Sequence, residues 1–403
     1  MKVAVIFDNF GPYHLARLNA ANKVCTLFAL EMDRRSRDYA WQPSASPRGF
    51  YSITLKVPGA PGLPKILLQT WALRHTLNEL SPECVFVPGW SRLYALESLR
   101  WCASNGIPSV VMSETTEHDS PRSVWKEWVK RRIVRAPCAA LVGGAHQKAY
   151  LEKLGMAPSR IFQGYDVVDN AYFHQGAEAA RQRTSELRQS FNLPAQYFLA
   201  SARFIEKKNL FRLILAYGNY RGAACGSIPG KCPRSKNLPW SLVLLGDGEQ
   251  KPALRELISE LGLGASVLLP GFKQYSEMPV YYGLASAFVH ASTSEPWGLV
   301  VNEAMASGLP VLVSNHCGCA PDLVREARNG FTFDPCSVQQ LTELMLRFSD
   351  NKSLNTTMGN ESFKIISDWD LSRFSNSFRT AAQTAVADVS MEVSRRQSPV
   401  GGR

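Results

Sequence analysis

The chain has no run of uncharged apolar residues approaching the roughly 20 that a membrane-spanning helix needs. Its 403 residues open on Met1-Lys2-Val3-Ala4-Val5-Ile6-Phe7-Asp8, which turns polar too soon for a signal peptide, so a soluble, cytoplasmic protein is expected. It has no Cys-x-x-Cys pair. The nine cysteines are odd in number and scattered, with only Cys317 and Cys319 close together, which favours reduced, mostly buried thiols over a disulfide framework. The seven histidines lie far apart with no His-Glu-x-x-His spacing, so no metal centre is expected. No Gly-x-Gly-x-x-Gly follows an early strand, which argues against a dinucleotide-dependent oxidoreductase. A formal charge of +11, from 45 basic and 34 acidic side chains, points to an anionic partner such as nucleotide phosphates or phospholipid head groups. Nucleic acid is not expected, because no zinc finger, RNA-recognition aromatic signature or long basic tail is present.

What the chain does have is two successive sets of short β-rich runs separated by helical stretches. Val3 to Phe7, Val24 to Leu30, Tyr51 to Leu55, Val85 to Val87, Ser109 to Met112 and Ala139 to Val142 read as strands of a first unit. Tyr197 to Ala202, Ser241 to Leu245, Ser266 to Leu269, Ala287 to His290 and Val311 to Val313 read as strands of a second. Four to six apolar residues per strand, with helices between, predict α/β units with parallel sheets and right-handed crossovers. The expected organisation is a Rossmann-like domain over 1–175, a helical linker from Gly176 to Gln189, and a second such domain over 190–369. A surface loop is expected over 219–239, where Cys225 and Cys232 form a disulfide only outside a reducing compartment. A closing helix over about 370–388 returns to the first domain, and 395–403 reads as a disordered tail. Two doubly wound units place a ligand in a cleft between them.

The richest segment runs from Ser294 to Val311. Pro296 and Gly298 lead tightly into a helix from about Leu299 to Ser307, closed by Gly308. Its uncovered first amides make an anion site. Glu295 precedes the helix and Glu303 sits on its second turn, and carboxylates accept bidentate hydrogen bonds from vicinal hydroxyls of sugars and riboses. A second segment, Arg203 to Asn209, follows the first strand of the second unit and opens a helix. Arg203 and Lys208 are placed to neutralise a diphosphate, the one as a fork and the other as a point charge.

These residues resemble the retaining, GT-B type glycosyltransferases of family 4, or group 1. The likeness covers Glu295 and Glu303 in their Glu-Pro-aromatic-Gly-Leu-Val setting, the Arg203/Lys208 pair, and the Gly246-Asp247-Gly248-Glu249 turn. It also covers Gly271-Phe272 ahead of Tyr281-Tyr282, Ala320 to Val324, and Asn329-Gly330-Phe331, so it spans about the second half. The resemblance implies a GT-B fold and a hexosyltransferase-type reaction with retention. In that reaction a sugar passes from a nucleotide-diphosphate donor to a hydroxyl acceptor in glycan, polysaccharide or glycolipid synthesis. It implies ribose on Glu303, diphosphate on Arg203, Lys208 and the amides near Gly298, Leu299 and Val300, base near Phe272, and sugar hydroxyls on Glu295. It implies no metal and no cofactor. Front-face attack, with the leaving diphosphate stabilised electrostatically, fits better than a covalent intermediate on Glu295. Donor nucleotide and acceptor stay open.

The first half carries weaker signals. Gly11 lies in the loop after the first strand, near the donor phosphates in the resemblance, and His14 either lines the cleft or caps the next helix. Glu114 and His118 follow the strand ending at Met112 and are candidate acceptor contacts, with a solvated loop as the alternative for His118. Residues 122–135 form a basic helix with Trp125 and Trp128 near one face, which suits either an anionic membrane surface or packing on the sheet. Two other readings stand beside the transferase: a non-catalytic sugar-nucleotide-binding protein, and a GT-B type phosphorylase.

Overall fold

The computed structural model describes residues 1–33, 49–55, 65–119, 122–225 and 238–397. They form two compact units, Met1–Val168 with Asp370–Arg403, and Asp169–Trp369.

The first unit is a seven-stranded sheet of β1 (Lys2–Phe7), β2 (Thr26–Glu31), β3 (Tyr51–Thr54), β4 (Cys84–Pro88), β5 (Ser109–Ser113), β6 (Ala139–Val142) and β7 (Ile161–Gln163). The order is β3-β2-β1-β4-β5-β6-β7, and every pairing is parallel. Side chains alternate across a strand, and β1 shows the consequence. Val3, Val5 and Phe7 enter the core on one face, while Ala4 and Ile6 enter the core on the other. The first of these cores is completed by the helix Leu371–Gln397, whose Phe374, Phe378, Ala381, Ala382 and Ala385 are buried there. Phe378 stacks on Phe86 at 3.9 Å between ring centroids. This helix runs through 395–397, where a disordered tail is expected; 398–403 lie outside the described residues.

The second unit holds β8 (Tyr197–Ser201), β9 (Ser241–Leu245), β10 (Val267–Gly271), β11 (Ala287–His290), β12 (Val311–Ser314) and β13 (Gly330–Phe333). Its order is β10-β9-β8-β11-β12-β13, again all parallel. Winding reverses beside the first strand of each sheet, between β1 and β4 and between β8 and β11. Loops at the carboxyl ends of such strands are where doubly wound sheets bind ligands.

Three expectations need correction. The chain passes from one unit to the other at Val168/Asp169, not near 175. The helix Asn170–Gln182 buries Phe173, Ala177 and Ala180 and packs on the helix Met278–Leu284, where a methyl group at Gly283 would stand 2.7 Å from the Ala177 carbonyl oxygen. Residues 219–225 are not loop but the last turns of the helix Leu210–Cys225. Tyr220, Ala223 and Ala224 continue the buried stripe of Leu213, Ile214, Ala216 and Tyr217, the three- and four-residue spacing of a helix face. The rest of that stretch, 226–237 with Cys232, lies outside the described residues. Finally, β7 and β13 were not expected, because three residues ending in Gln163 and a strand opening on Gly330 carry little β signal.

Candidate functional site

In the second unit the loops after β8, β9, β11 and β12 meet at the carboxyl edge of the sheet. The loop after β8 is not the direct helix opening expected of it. Glu206–Lys208 form one tight turn, and Asn209, at φ 58°, breaks the path before the helix begins at Leu210. Asn209 donates its side-chain amide to the carbonyls of Ala291 and Pro335 at 3.0 and 2.7 Å, and Thr293 N–H donates to Lys207 O at 2.9 Å. The β8 loop is thereby stitched to the β11 loop. On its other side Ala202 and Phe204 amides donate to Leu245 and Asp247 carbonyls at 3.0 and 2.8 Å. A methyl group at Gly246, φ 129°, would stand 1.8 Å from Ala202 O, so only glycine permits this approach to the Arg203 segment. Asp247 serves the turn: it accepts Gly248 N–H at 2.8 Å and pairs with Lys251 at 2.6 Å.

The β11 loop is fixed equally firmly. Gly318 and Cys319 amides donate to the Glu295 and Trp297 carbonyls at 2.9 and 3.1 Å, Cys317 Sγ donates to Trp297 O at 2.8 Å, and Trp297 Nε1 donates to Asn302 at 2.9 Å. Gly298 takes φ 102° and starts the eight-residue helix Leu299–Ala306. The first-turn amides of Leu299 and Val300 have no preceding helical carbonyl to meet, which leaves the positive end of the helix at this edge.

The structure brings Lys208 and Glu295 together as an ion pair. His290 Nε2 lies 3.1 Å from the same carboxylate oxygen, and Ser292 Oγ donates to it at 3.2 Å. Burial opposes the Glu295 charge, yet the His290 hydrogen bond and the Lys208 ammonium hold its carboxyl well below the usual range. Burial would also lower His290, but Cys317 and Glu295 push it up to about 9. Burial raises the Cys317 thiol, and its contacts with Cys319, 3.5 Å away, and with the His290 charge more than reverse this. Glu303 is not a surface residue: it is fully buried, and Tyr282 Oη donates to it at 2.6 Å. Burial, then the Glu303 charge, pushes the Tyr282 hydroxyl well above its ordinary value. Phe272 follows β10 at the same edge.

In the first unit His14 caps its helix: Nδ1 accepts the Gly11 amide at 3.1 Å, and the ring lies 4.5 Å from that of Phe7. Burial, with the Arg17 charge, pushes its pKa down to about 3, so the imidazole is neutral. Glu114 and His118 are exposed after β5. Beside Glu114 lies buried Asp166, whose carboxyl is raised by burial and by Glu114 against the opposing charge of Arg17, 3.6 Å away. The helix Val124–Ile133 buries no residue. Glu127 and Lys130 anchor it to Tyr150 at 2.9 Å, while Val124, Trp125 and Trp128 are 90%, 66% and 53% exposed.

Sequence reasoning gave no role to His290, Ser292, Tyr282 or Asp166. A titratable residue closing the apolar run Ala287–His290 was the available signal for the first. Asp166 follows the short β7 that periodicity does not reveal.

Residues 183–365 match the family described as glycosyl transferases group 1. The chain is 29% identical over 186 residues to sucrose-phosphate synthase 4 of Arabidopsis thaliana, covering 42% of this chain and 16% of that one. It is 30% identical over 122 residues to alpha-monoglucosyldiacylglycerol synthase of Acholeplasma laidlawii, covering 28% and 30%. The matched segment thus spans less than a third of either relative. The solved structure of HepE from Anabaena in complex with UDP and glucose superposes with a TM-score of 0.69 at 16% identity, covering 99% of this chain and 100% of that one. The fold is GT-B.

Proposed function

We propose that the protein is a retaining, metal-independent glycosyltransferase that moves a hexosyl group from a nucleotide-diphosphate sugar to a hydroxyl acceptor. The observation that supports this reading is the Lys208–Glu295 ion pair at the carboxyl edge of one sheet, where its winding reverses, with the loop that carries Arg203 and the start of the helix at Leu299 and Val300 at the same edge, inside the segment that matches the group 1 model. The diphosphate lies against Arg203, Lys208 and those amides. Gly298 provides the close backbone approach, Glu303 holds the ribose, backbone near Phe272 meets the base, and Glu295 meets sugar hydroxyls.

In the transfer the acceptor oxygen bonds to the anomeric carbon as the bond from that carbon to the diphosphate oxygen breaks. The acceptor proton passes to a phosphate oxygen, and the nucleoside diphosphate leaves with its charge stabilised by the two cations and the helix terminus. The Glu295 carboxylate is already engaged by Lys208, His290 and Ser292, and we take it to hold sugar hydroxyls during front-face attack rather than to form a glycosyl-enzyme. Gly11 belongs with the donor phosphates, and His14, Glu114 and His118 belong to the acceptor side, with His14 acting through the helix it caps. The acceptor is a glycan or a lipid-linked hydroxyl, and the exposed face of Val124–Ile133 rests on an anionic membrane at its cytoplasmic side. The name of the Acholeplasma relative, a diacylglycerol glucoside synthase, is in keeping with a lipid acceptor.

The test is a thermal-shift screen of UDP-, GDP- and ADP-sugars, starting with UDP-glucose because HepE holds UDP and glucose, followed by acceptor assays with product analysis. Release of free nucleoside diphosphate with a retained anomeric centre supports the proposal. Release of a sugar phosphate would establish a phosphorylase instead, and binding without turnover would leave only a sugar-nucleotide-binding protein.

A further inference from the structure

Glu295 is gripped through one oxygen. Lys208 Nζ, His290 Nε2 and Ser292 Oγ all converge on Oε2, and no described residue donates to Oε1. Of the three, His290 is the rigid one. Lys208 reaches the carboxylate on a flexible four-carbon stem, and Ser292 is neutral. The imidazole closes β11, is 3% exposed, and is held by strand pairing with Val313. Ser292 Oγ lies 3.2 Å from the same ring nitrogen. The Glu295 loop runs directly against the ring, since a methyl group at Gly298 would come within 3.6 Å of Nε2 and 3.4 Å of Glu295 Cγ.

We propose that His290 is a positioning residue that locks Glu295 through Oε2, so that Oε1 alone is presented to the hydroxyls of the donor sugar. The proposal rests on the glycosyltransferase reading. A carboxylate fixed before the sugar arrives loses less freedom on binding it and holds the anomeric carbon in one orientation. The charged and titratable groups facing the imidazole are Glu295 on its own loop, Lys208 through the shared oxygen, and Cys317, backed by Cys319, from the loop after β12.

The test uses His290→Gln, which keeps a neutral N–H donor, and His290→Leu, which keeps none, each alone and combined with Glu295→Gln. With UDP-glucose, or the best donor found, we expect His290→Leu to lower kcat about tenfold or more while the affinity for UDP alone stays within about threefold, and His290→Gln to recover most of the loss. Because His290 acts through Glu295, adding His290→Leu to Glu295→Gln should cost less than about twofold more. A double variant showing the product of the two single losses would overturn the proposal, as would UDP affinity falling in step with kcat. Imidazole titration by NMR needs no turnover. The His290 pKa of about 9 should fall in Glu295→Gln, and an unchanged value would also overturn the lock. A wild type that binds UDP but transfers nothing would sink the transfer reading, and the titration would still decide the contact.

Discussion

Replacing Gly298 by alanine tests whether the Glu295 loop is held by close packing. Gly298 lies at φ 102°, ψ 62°, and a methyl group there would stand 2.8 Å from Cys317 Sγ. Gly262 has φ 65° and nothing within 4 Å of an added methyl group, so it isolates the backbone cost. A left-handed non-glycine residue costs about 1–2 kcal/mol, reduced by roughly 0.4–1 kcal/mol because alanine also restricts the unfolded chain. Gly262→Ala should therefore lose about 1 kcal/mol. Gly298→Ala carries the same cost plus a contact about 1 Å too short, and overpacking of this kind costs roughly 1–3 kcal/mol, giving about 2–4 kcal/mol in total. For a unit of this size each kcal/mol lowers Tm by roughly 2–4 °C, so melting followed by circular dichroism should separate the two variants clearly. Cys317→Ala removes the obstructing sulfur. Combined with Gly298→Ala it should recover about 1 kcal/mol or more relative to additivity. Equal losses in Gly298→Ala and Gly262→Ala, or strict additivity with Cys317→Ala, would refute the packing argument.

Tyr282→Phe should destabilise the second unit by about 1–3 kcal/mol, because it strips a donor from the fully buried Glu303 carboxylate; urea unfolding measures it, and a loss below about 0.5 kcal/mol would count against the 2.6 Å hydrogen bond. The pH dependence of stability has two limbs. His290 is raised in the folded state to about 9, so its contribution is complete below the unfolded value of about 6.5 and is lost as pH rises through about 9. Glu295 is depressed, so its contribution is present above about 4.5 and is lost as pH falls below that. The urea midpoint should fall between about pH 6.5 and 9 in the wild type and stay flatter there in His290→Gln. For the membrane face, flotation with anionic vesicles should retain the wild type at low salt and lose Trp125→Ala/Trp128→Ala; no binding with or without anionic lipid would exclude that surface.

Much of the architecture is legible in the chain because buried parallel strands write themselves as short apolar runs, and all eleven runs from Val3 to Val313 fall on strands whose bounds lie within about two residues of those expected. What escaped was short or mixed: β7 with its three residues, β13 opening on Gly330, and the turns of helix at 219–225, where glycine and polar residues obscured a stripe that only Tyr220, Ala223 and Ala224 sustain. The spacing of Glu295 and Glu303 on either side of Gly298 is likewise local, since a loop and the helix it enters are set by neighbouring residues.

The environment of those carboxylates is not local. Lys208 and Glu295 are separated by 87 positions and Tyr282 and Glu303 by 21, and no periodicity says that they touch. Strand order decides it: placing β8 beside β11 brings the two loops to one edge, and the pairing of β11 with β12 sets Cys317 behind His290. Sequence by itself determined which residues stand at the carboxyl ends of the strands. Tertiary structure decided that one glutamate is gripped through a single oxygen and the other is buried beneath a tyrosine, because desolvation and pairing depend on what the neighbouring strands bring alongside.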